Sequence, residues 1–133
     1  MSYEIINPED LGAPKGWSNG MLAPRNGRLL FVAGQAPSDA TGAVEAADFV
    51  TQFSLALARA IRVVEEAGGG VEHIGRLTIF VTDIEAYRSS LRPLGEAYRE
   101  LMGRHFPAMA LVEVSRMVDD NATVEIETTA VIP

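Results

Sequence analysis

The stretch HFPAMALVEVSRM, residues 105–117, is followed by TVEIETTAV, residues 123–131, and the two decide the fold prediction. The first contains a short apolar run, and the second alternates apolar with polar residues and is rich in β-branched side chains. Both patterns are typical of β-strands. We therefore expect strands at 108–114 and 122–131, joined by the polar segment SRMVDDN.

The last of these strands divides its residues between two faces of a sheet, since successive side chains of a strand point in opposite directions. Val124 and Ile126 form an apolar set suited to packing against helices, so Glu125 and Glu127 lie on the other face. The neighbouring strands are predicted to be apolar on both sides. A mostly apolar face without a helix is expected to be covered by another copy of the chain.

Two further segments have apolar residues at spacings of three and four, the pattern of a helix with one apolar face. The first begins near Ala46 and ends at the glycines 68–70, which accept a left-handed helix cap. The second begins at a predicted capping box of Thr82 with Glu85. Pro93 should kink or restart it.

The order of elements predicts an α+β fold, with a single mixed sheet and two helices packed on one face. Residues 1–133 are interpreted as a single domain. The turn Asn26-Gly27 predicts a β-hairpin between its flanking strands. The remaining strands are predicted at four segments: YEII (3–6), GMLAP (20–24), RLLFVAG (28–34) and RLTIFVTD (76–83).

Composition excludes several classes of function. The 133 residues contain no cysteine, which excludes disulfides and thiolate chemistry. The net charge is −7 and the basic residues are scattered, so a nucleic acid partner would be repelled. The polar start MSYEIINPED does not resemble a signal peptide, and no apolar run approaches the roughly 18 residues of a membrane span. We expect a cytoplasmic protein without a membrane or nucleic acid partner.

Four motifs in order carry a resemblance over nearly the whole chain: FVAGQ (31–35), FVTD (80–83), FPAMALVEV (106–114) and VEIE (124–127). With these motifs the chain resembles the Rid proteins, also called the YjgF or endoribonuclease L-PSP family. The resemblance implies a chorismate-mutase-like fold. It also implies a homotrimer with a barrel-like core and active sites in clefts between subunits.

The same resemblance implies hydrolysis of enamines or imines to ketones or ketoacids and ammonia, without metal or cofactor. Its water-handling glutamate falls on Glu125, the first acid of VEIE, and its aromatic pocket residue falls on Trp17. The arginine that binds the substrate carboxylate falls on Met109 and is lost. An asparagine of the second helix has Gly95 as its nearest counterpart.

Loss of that arginine changes the predicted substrate. A thioether cannot form a charge-assisted pair with a carboxylate, whereas Met109 and Trp17 offer apolar walls. We expect a small enamine or imine other than a simple 2-aminoacrylate-like acid, oriented by backbone groups near Gly34 and Gln35. The alternative is a non-catalytic trimer that binds a small ligand or a protein.

Each of these residues also has a structural interpretation that the sequence leaves open. Glu125 fits a hydrogen-bonding role at an interface, Trp17 an anchor of the core, and Met109 a filler of the core. Gly34 and Gln35 fit an ordinary turn. The sequence also leaves open whether Arg104 or another residue replaces the missing cation.

Overall fold

A computed structural model describes residues 2–133, and within them six strands and three α-helices form. No helix in this range is both long enough and apolar enough to cross a membrane. The elements are β1 (Glu4–Ile6), β2 (Gly20–Leu22), β3 (Arg28–Gln35), α1 (Phe49–Glu66), β4 (Ile74–Val81), α2 (Ile84–Arg88), α3 (Leu91–Met102), β5 (Ala108–Glu113) and β6 (Val124–Ile132).

The main sheet has four strands in the order β3-β6-β4-β5. The pairs β3–β6 and β6–β4 are antiparallel and β4–β5 is parallel, which confirms the predicted mixed sheet. In this register Leu77 lies opposite both Met109 and Thr128, whereas Phe80 lies opposite Glu125. Paired residues point to the same side of a sheet, so Met109 and Glu125 lie on opposite faces.

The helices cover the face that carries Leu77, as the apolar stripes predict. Helix α1 begins at the N-cap Asp48, whose carboxylate accepts a hydrogen bond from the Thr51 amide. It packs on β3 and β6 and beside α3. The residues of α1 that are buried against this face are Phe49, Gln52, Phe53, Ala56, Leu57, Ala60, Ile61 and Val64.

The second predicted helix is divided into α2 and α3. Its predicted capping box at Thr82 is wrong, because the Asp83 carboxylate caps α2 and accepts hydrogen bonds from the amides of Glu85 and Ala86. The chain restarts as a helix at the first residue of α3, and Pro93 lies in its first turn. Proline is tolerated there because that amide has no helical partner.

The predicted hairpin across the Asn26-Gly27 turn is wrong. β2 pairs antiparallel with β1, and the two form a separate two-stranded sheet rather than part of a single one. Pro24 lies between β2 and the turn and has no amide hydrogen for a strand ladder. Gly27 instead packs on β6, where an added Cβ would clash with Cγ1 of Val131.

The face opposite the helices, called the open face below, exposes apolar side chains. Leu29 is 58% exposed, Phe31 is 75% exposed and Val112 is 45% exposed. Such a surface is unusual for a monomer, which agrees with the expectation that another copy covers it. The homotrimer and its barrel-like core stay a prediction.

One buried hydroxyl group, that of Thr128, has no hydrogen-bond partner among residues 2–133. The Thr128 side chain is 2% exposed, and its hydroxyl makes no hydrogen bond. Thr123, just before the same strand, donates its hydroxyl to Oε1 of the buried Gln52 at 2.7 Å. The Thr123 hydroxyl therefore has a hydrogen-bond partner and the Thr128 hydroxyl has none, so the two residues can be compared directly.

Thr128→Val should leave the free energy of unfolding unchanged or raise it by up to about 1 kcal/mol, because it removes an unsatisfied buried hydroxyl. Thr123→Val should lower that free energy by about 1 kcal/mol, because Gln52 loses a donor. Urea denaturation of both variants measures the difference. An equal loss of unfolding free energy in the two variants would contradict the assignment of Thr128 as the threonine without a hydrogen-bond partner.

Candidate functional site

A cavity of about 580 Å³ opens on the helix-covered side of the sheet, between α3, α1 and the strands β4 and β5. Part of the apolar stripe of α3 faces this space, and Leu91 is consequently 56% exposed. The other wall residues are Lys15, Gly16, Trp17, Phe53, Ile79, Tyr87, Leu94, Gly95, Tyr98, Arg99, Phe106, Met109 and Leu111. Trp17 and Met109, far apart in sequence, therefore share one cavity.

Ser18 explains why these two residues meet. Its amide donates to the Pro107 carbonyl at 3.1 Å, and its hydroxyl donates to the Phe106 carbonyl at 2.6 Å. The Ser18 side chain is buried. These two bonds hold the loop that carries Trp17 against the chain just before β5 and Met109. Gly16 permits the approach, because its φ of 79° is strained for other residues.

Two aromatic rings form a rigid part of the cavity wall. Tyr98 and Phe106 stack with ring centroids 5.5 Å apart and planes 9° from parallel. The Tyr98 hydroxyl donates to the His105 carbonyl at 2.6 Å. Burial raises the pKa of Tyr98, so this hydroxyl stays protonated at neutral pH. Tyr98 is therefore a wall of the cavity rather than a proton carrier.

Among residues 2–133, the charged residues on the wall are Lys15 and Arg99, and no acidic residue lines the cavity. Arg99 follows Gly95 by one helical turn, and its Nη1 lies 3.3 Å from where a Cβ on Gly95 would be. Arg104, the candidate from the sequence, is not among the wall residues. The cations at this cavity are thus ones that the sequence did not single out.

Glu125 lies on the open face beside the end of β3. A Cβ added at Gly34 would lie 2.8 Å from Oε2 of Glu125, so any other residue at this position would require the carboxylate to move. Within residues 2–133 the carboxylate of the half-buried Glu125 accepts no hydrogen bond and forms no ion pair. It also borders a recess of about 180 Å³ together with Phe80 and Arg116.

Gln35 follows Gly34 at an irregularity in the pairing of β3 with β6, between Val32 and Gln35. Its side-chain oxygen accepts a hydrogen bond from Nε of Arg59 at 3.2 Å. Its side-chain nitrogen donates to the Ala33 carbonyl at 3.0 Å. The Gln35 side chain is therefore engaged within the chain, and the backbone near Gly34 is the more accessible group.

The predicted site residues thus fall into two groups on opposite sides of the sheet. Trp17 and Met109 lie at the cavity, whereas Gly34 and Glu125 lie on the open face. A strand side chain cannot reach through the sheet. One copy of the chain therefore does not bring Glu125 to its own cavity. Residues 2–133 contain no cluster of three or more His, Asp or Glu side chains placed to hold a metal ion.

Comparison with known proteins identifies the family. The model of the endoribonuclease L-PSP family matches residues 9–132. The chain belongs to the endoribonuclease L-PSP family. It is similar to 2-iminobutanoate/2-iminopropanoate deaminase of Salmonella typhimurium, with 36% identity over 106 residues that cover 79% of this chain and 80% of the relative.

Two solved structures of the L-PSP fold support this assignment. The Rid family protein YyfB of Yersinia pestis, of unknown function, superposes with a TM-score of 0.86 at 26% identity, covering 99% of this chain and 100% of that one. TdcF of Escherichia coli with bound serine gives a TM-score of 0.69 at 28% identity, covering 92% of each chain. The resemblance found in the sequence is confirmed at the level of the family.

The sequence patterns did not reveal several wall residues of this L-PSP family member. Tyr98 belonged to a stripe that predicted core packing, and Phe106 was only part of a motif. Arg99 gave no signal, because a cation on a helix is ordinarily solvated. Its spacing of four residues from Gly95 is the single hint, since side chains at i and i+4 are neighbours on a helix.

Ser18→Ala should lower the free energy of unfolding by about 1 kcal/mol, because it deletes the buried bond to the Phe106 carbonyl. It should also increase acrylamide quenching of Trp17, the only tryptophan. Urea denaturation and tryptophan fluorescence measure the two effects. Ser115→Ala, at an exposed position, is the control and should change neither. Unchanged quenching in the Ser18 variant would refute the anchoring role of Ser18.

Proposed function

We propose that this protein hydrolyses a small imine or enamine to a carbonyl compound and ammonia. An enamine first gains a proton at its β carbon and loses one from nitrogen, which gives the imine. Water then adds to the carbon of the C=N bond, and one of its protons passes to nitrogen. As the C–N bond breaks, the proton of the new hydroxyl also passes to nitrogen, so ammonia leaves and the carbonyl forms. The reaction needs only a group that exchanges protons with water and nitrogen, so no cofactor is proposed.

The observation that carries the proposal is the position of Glu125. Its carboxylate is half-buried beside Gly34 and no side chain or amide of residues 2–133 binds it, which leaves its oxygens free to hold water. In the proposed mechanism Glu125 takes a proton from water and returns it to the leaving nitrogen. Backbone groups near Gly34 and Gln35 orient the substrate. The name of the Salmonella deaminase relative supports this class of reaction.

The proposal requires more than one copy of the chain, since Glu125 and Met109 lie on opposite faces of the sheet. We propose a homotrimer in which Glu125 of one copy lies near Trp17 and Met109 of the next. The exposed Leu29 and Phe31 on the open face support this arrangement, because their burial would stabilise contact between copies. Active sites would then lie in clefts between subunits.

The substrate is proposed to differ from a simple 2-aminoacrylate-like acid. Position 109 carries a thioether, which cannot bind a carboxylate as a guanidinium does. Met109 and Trp17 instead form apolar walls that suit a larger or less polar group. RNA is not the proposed substrate, because a net charge of −7 opposes binding of a polyanion.

Glu125→Gln should reduce ammonia release from an enzymatically generated imine by at least about 100-fold, because the amide cannot exchange the proton. The matched control is Glu127→Gln, the exposed acid two residues on in β6, which should keep turnover. Size-exclusion chromatography with light scattering should give the same assembly for both variants. Full activity in Glu125→Gln would remove Glu125 from the mechanism.

Met109→Arg should raise turnover of small 2-imino acids by about tenfold or more, because a desolvated guanidinium–carboxylate pair is worth about 1.5–3 kcal/mol. Met109→Gln, polar but uncharged, is the control and should give no gain.

The loss of the arginine favours a second candidate, a non-catalytic trimer that binds a ligand or protein in the same cleft. No ammonia release from any imine, in this variant or the natural chain, would favour that binder.

A further inference from the structure

We propose that Arg99, assisted by Lys15, binds the carboxylate of a ligand whose aromatic or branched apolar body fills the cavity at Trp17 and Met109. The proposed substrate is then a small-molecule imine or enamine that joins a carboxylate to an aromatic or branched body. The acid group is held from helix α3 rather than from position 109 of β5. This substrate class rests on the proposed function, whereas the binding site itself does not.

The size and surface of the cavity fit such a ligand. A volume of about 580 Å³ lies within the roughly 300–1,000 Å³ of small-molecule sites. A three-carbon acid would leave most of it filled with water. The stacked Tyr98 and Phe106 and the indole of Trp17 offer flat apolar surfaces. These surfaces favour an aromatic or branched body.

The charge around the cavity differs from that of the whole protein. The chain carries a net charge of −7, yet the part of the wall that residues 2–133 of one copy contribute has two cations, Lys15 and Arg99, and no acid. Three of the four other arginines on the helices form an ion pair with a glutamate one turn away, among them Arg92, on the same helix as Arg99, at 3.9 Å from Glu96. The fourth, Arg59, donates a hydrogen bond to the Gln35 side chain instead. Within residues 2–133 Arg99 has no carboxylate at ion-pair distance. Its guanidinium donors are therefore available to an anion.

Gly95 lies directly beside the guanidinium group of Arg99. A glycine inside a helix is destabilising, so its presence needs a structural reason. Here the missing side chain leaves the space along α3 that Nη1 of Arg99 occupies, 3.3 Å from the site of a Cβ. A Cβ at position 95 would require the guanidinium to shift by a few tenths of an ångström. Gly95 therefore allows the Arg99 side chain to lie close along the helix at the cavity wall.

The test compares 3-phenylpropanoate with its neutral amide, 3-phenylpropanamide, in binding to the full-length protein. Fluorescence of Trp17, the only tryptophan, and titration calorimetry report binding. The natural chain should bind the acid more tightly than the amide. Arg99→Met should weaken binding of the acid by about tenfold, as expected for loss of a charged hydrogen bond, and leave the amide unchanged.

Three further variants complete the test. Arg99→Lys keeps the charge and should retain most of the preference for the acid. Arg92→Met removes a cation from the same helix, outside the cavity wall, and should change neither affinity. Lys15→Met should weaken binding of the acid less than Arg99→Met does, because Lys15 assists rather than carries the interaction.

Equal affinities for acid and amide in the natural chain, no binding of either, or equal weakening of both by Arg99→Met would overturn this inference. Ammonia release from imines is measured separately. A protein that releases ammonia but binds the two probes equally keeps the proposed function and loses the inference. A protein that selects the acid but releases no ammonia from any imine keeps the inference and loses the proposed function.

Discussion

The pairing of β4 with β5 on one side and β6 on the other is the constraint on which the rest of the structure depends. It fixes which side chains share a face, because Leu77 lies opposite Met109 and Phe80 lies opposite Glu125. The helices then cover one face and leave the other open. Two halves of the candidate site result, and the sheet itself separates them within one copy.

The cavity exists because helix α3 does not pack directly against strand β5. Residues of the N-terminal loop, held by the bonds of Ser18 to the carbonyls of Phe106 and Pro107, fill part of the space between them. The stacked pair of Tyr98 and Phe106 fills another part. Apolar residues that would otherwise complete a core, among them Leu91, line the open volume instead. An aromatic cavity thus follows from a helix held away from the sheet edge.

Position 109 carries a thioether, whereas the cations of the wall lie elsewhere, and the two features are connected by geometry. Met109 projects from β5, while Arg99 projects from α3 across the same cavity. A ligand held from α3 would lie in a different orientation from one held from β5. Chains with the same fold can in this way differ in the size and placement of the ligand, since function depends on the site rather than the fold.

The sequence alone determined the mixed sheet, the apolar face of α1 and the membership of the L-PSP family, because these depend on local periodicity and on motifs. Predictions from the sequence were wrong where local sequence signals compete with contacts between residues distant along the chain. Asn26-Gly27 predicted a hairpin, but Pro24 and the packing of Gly27 on Val131 direct the chain to β6 instead. Only the tertiary structure decided that Arg99 and Lys15 meet Trp17 at one cavity and that Glu125 lies on the other face. Those placements depend on strand register and on loop anchoring over 88 residues, which no local pattern encodes.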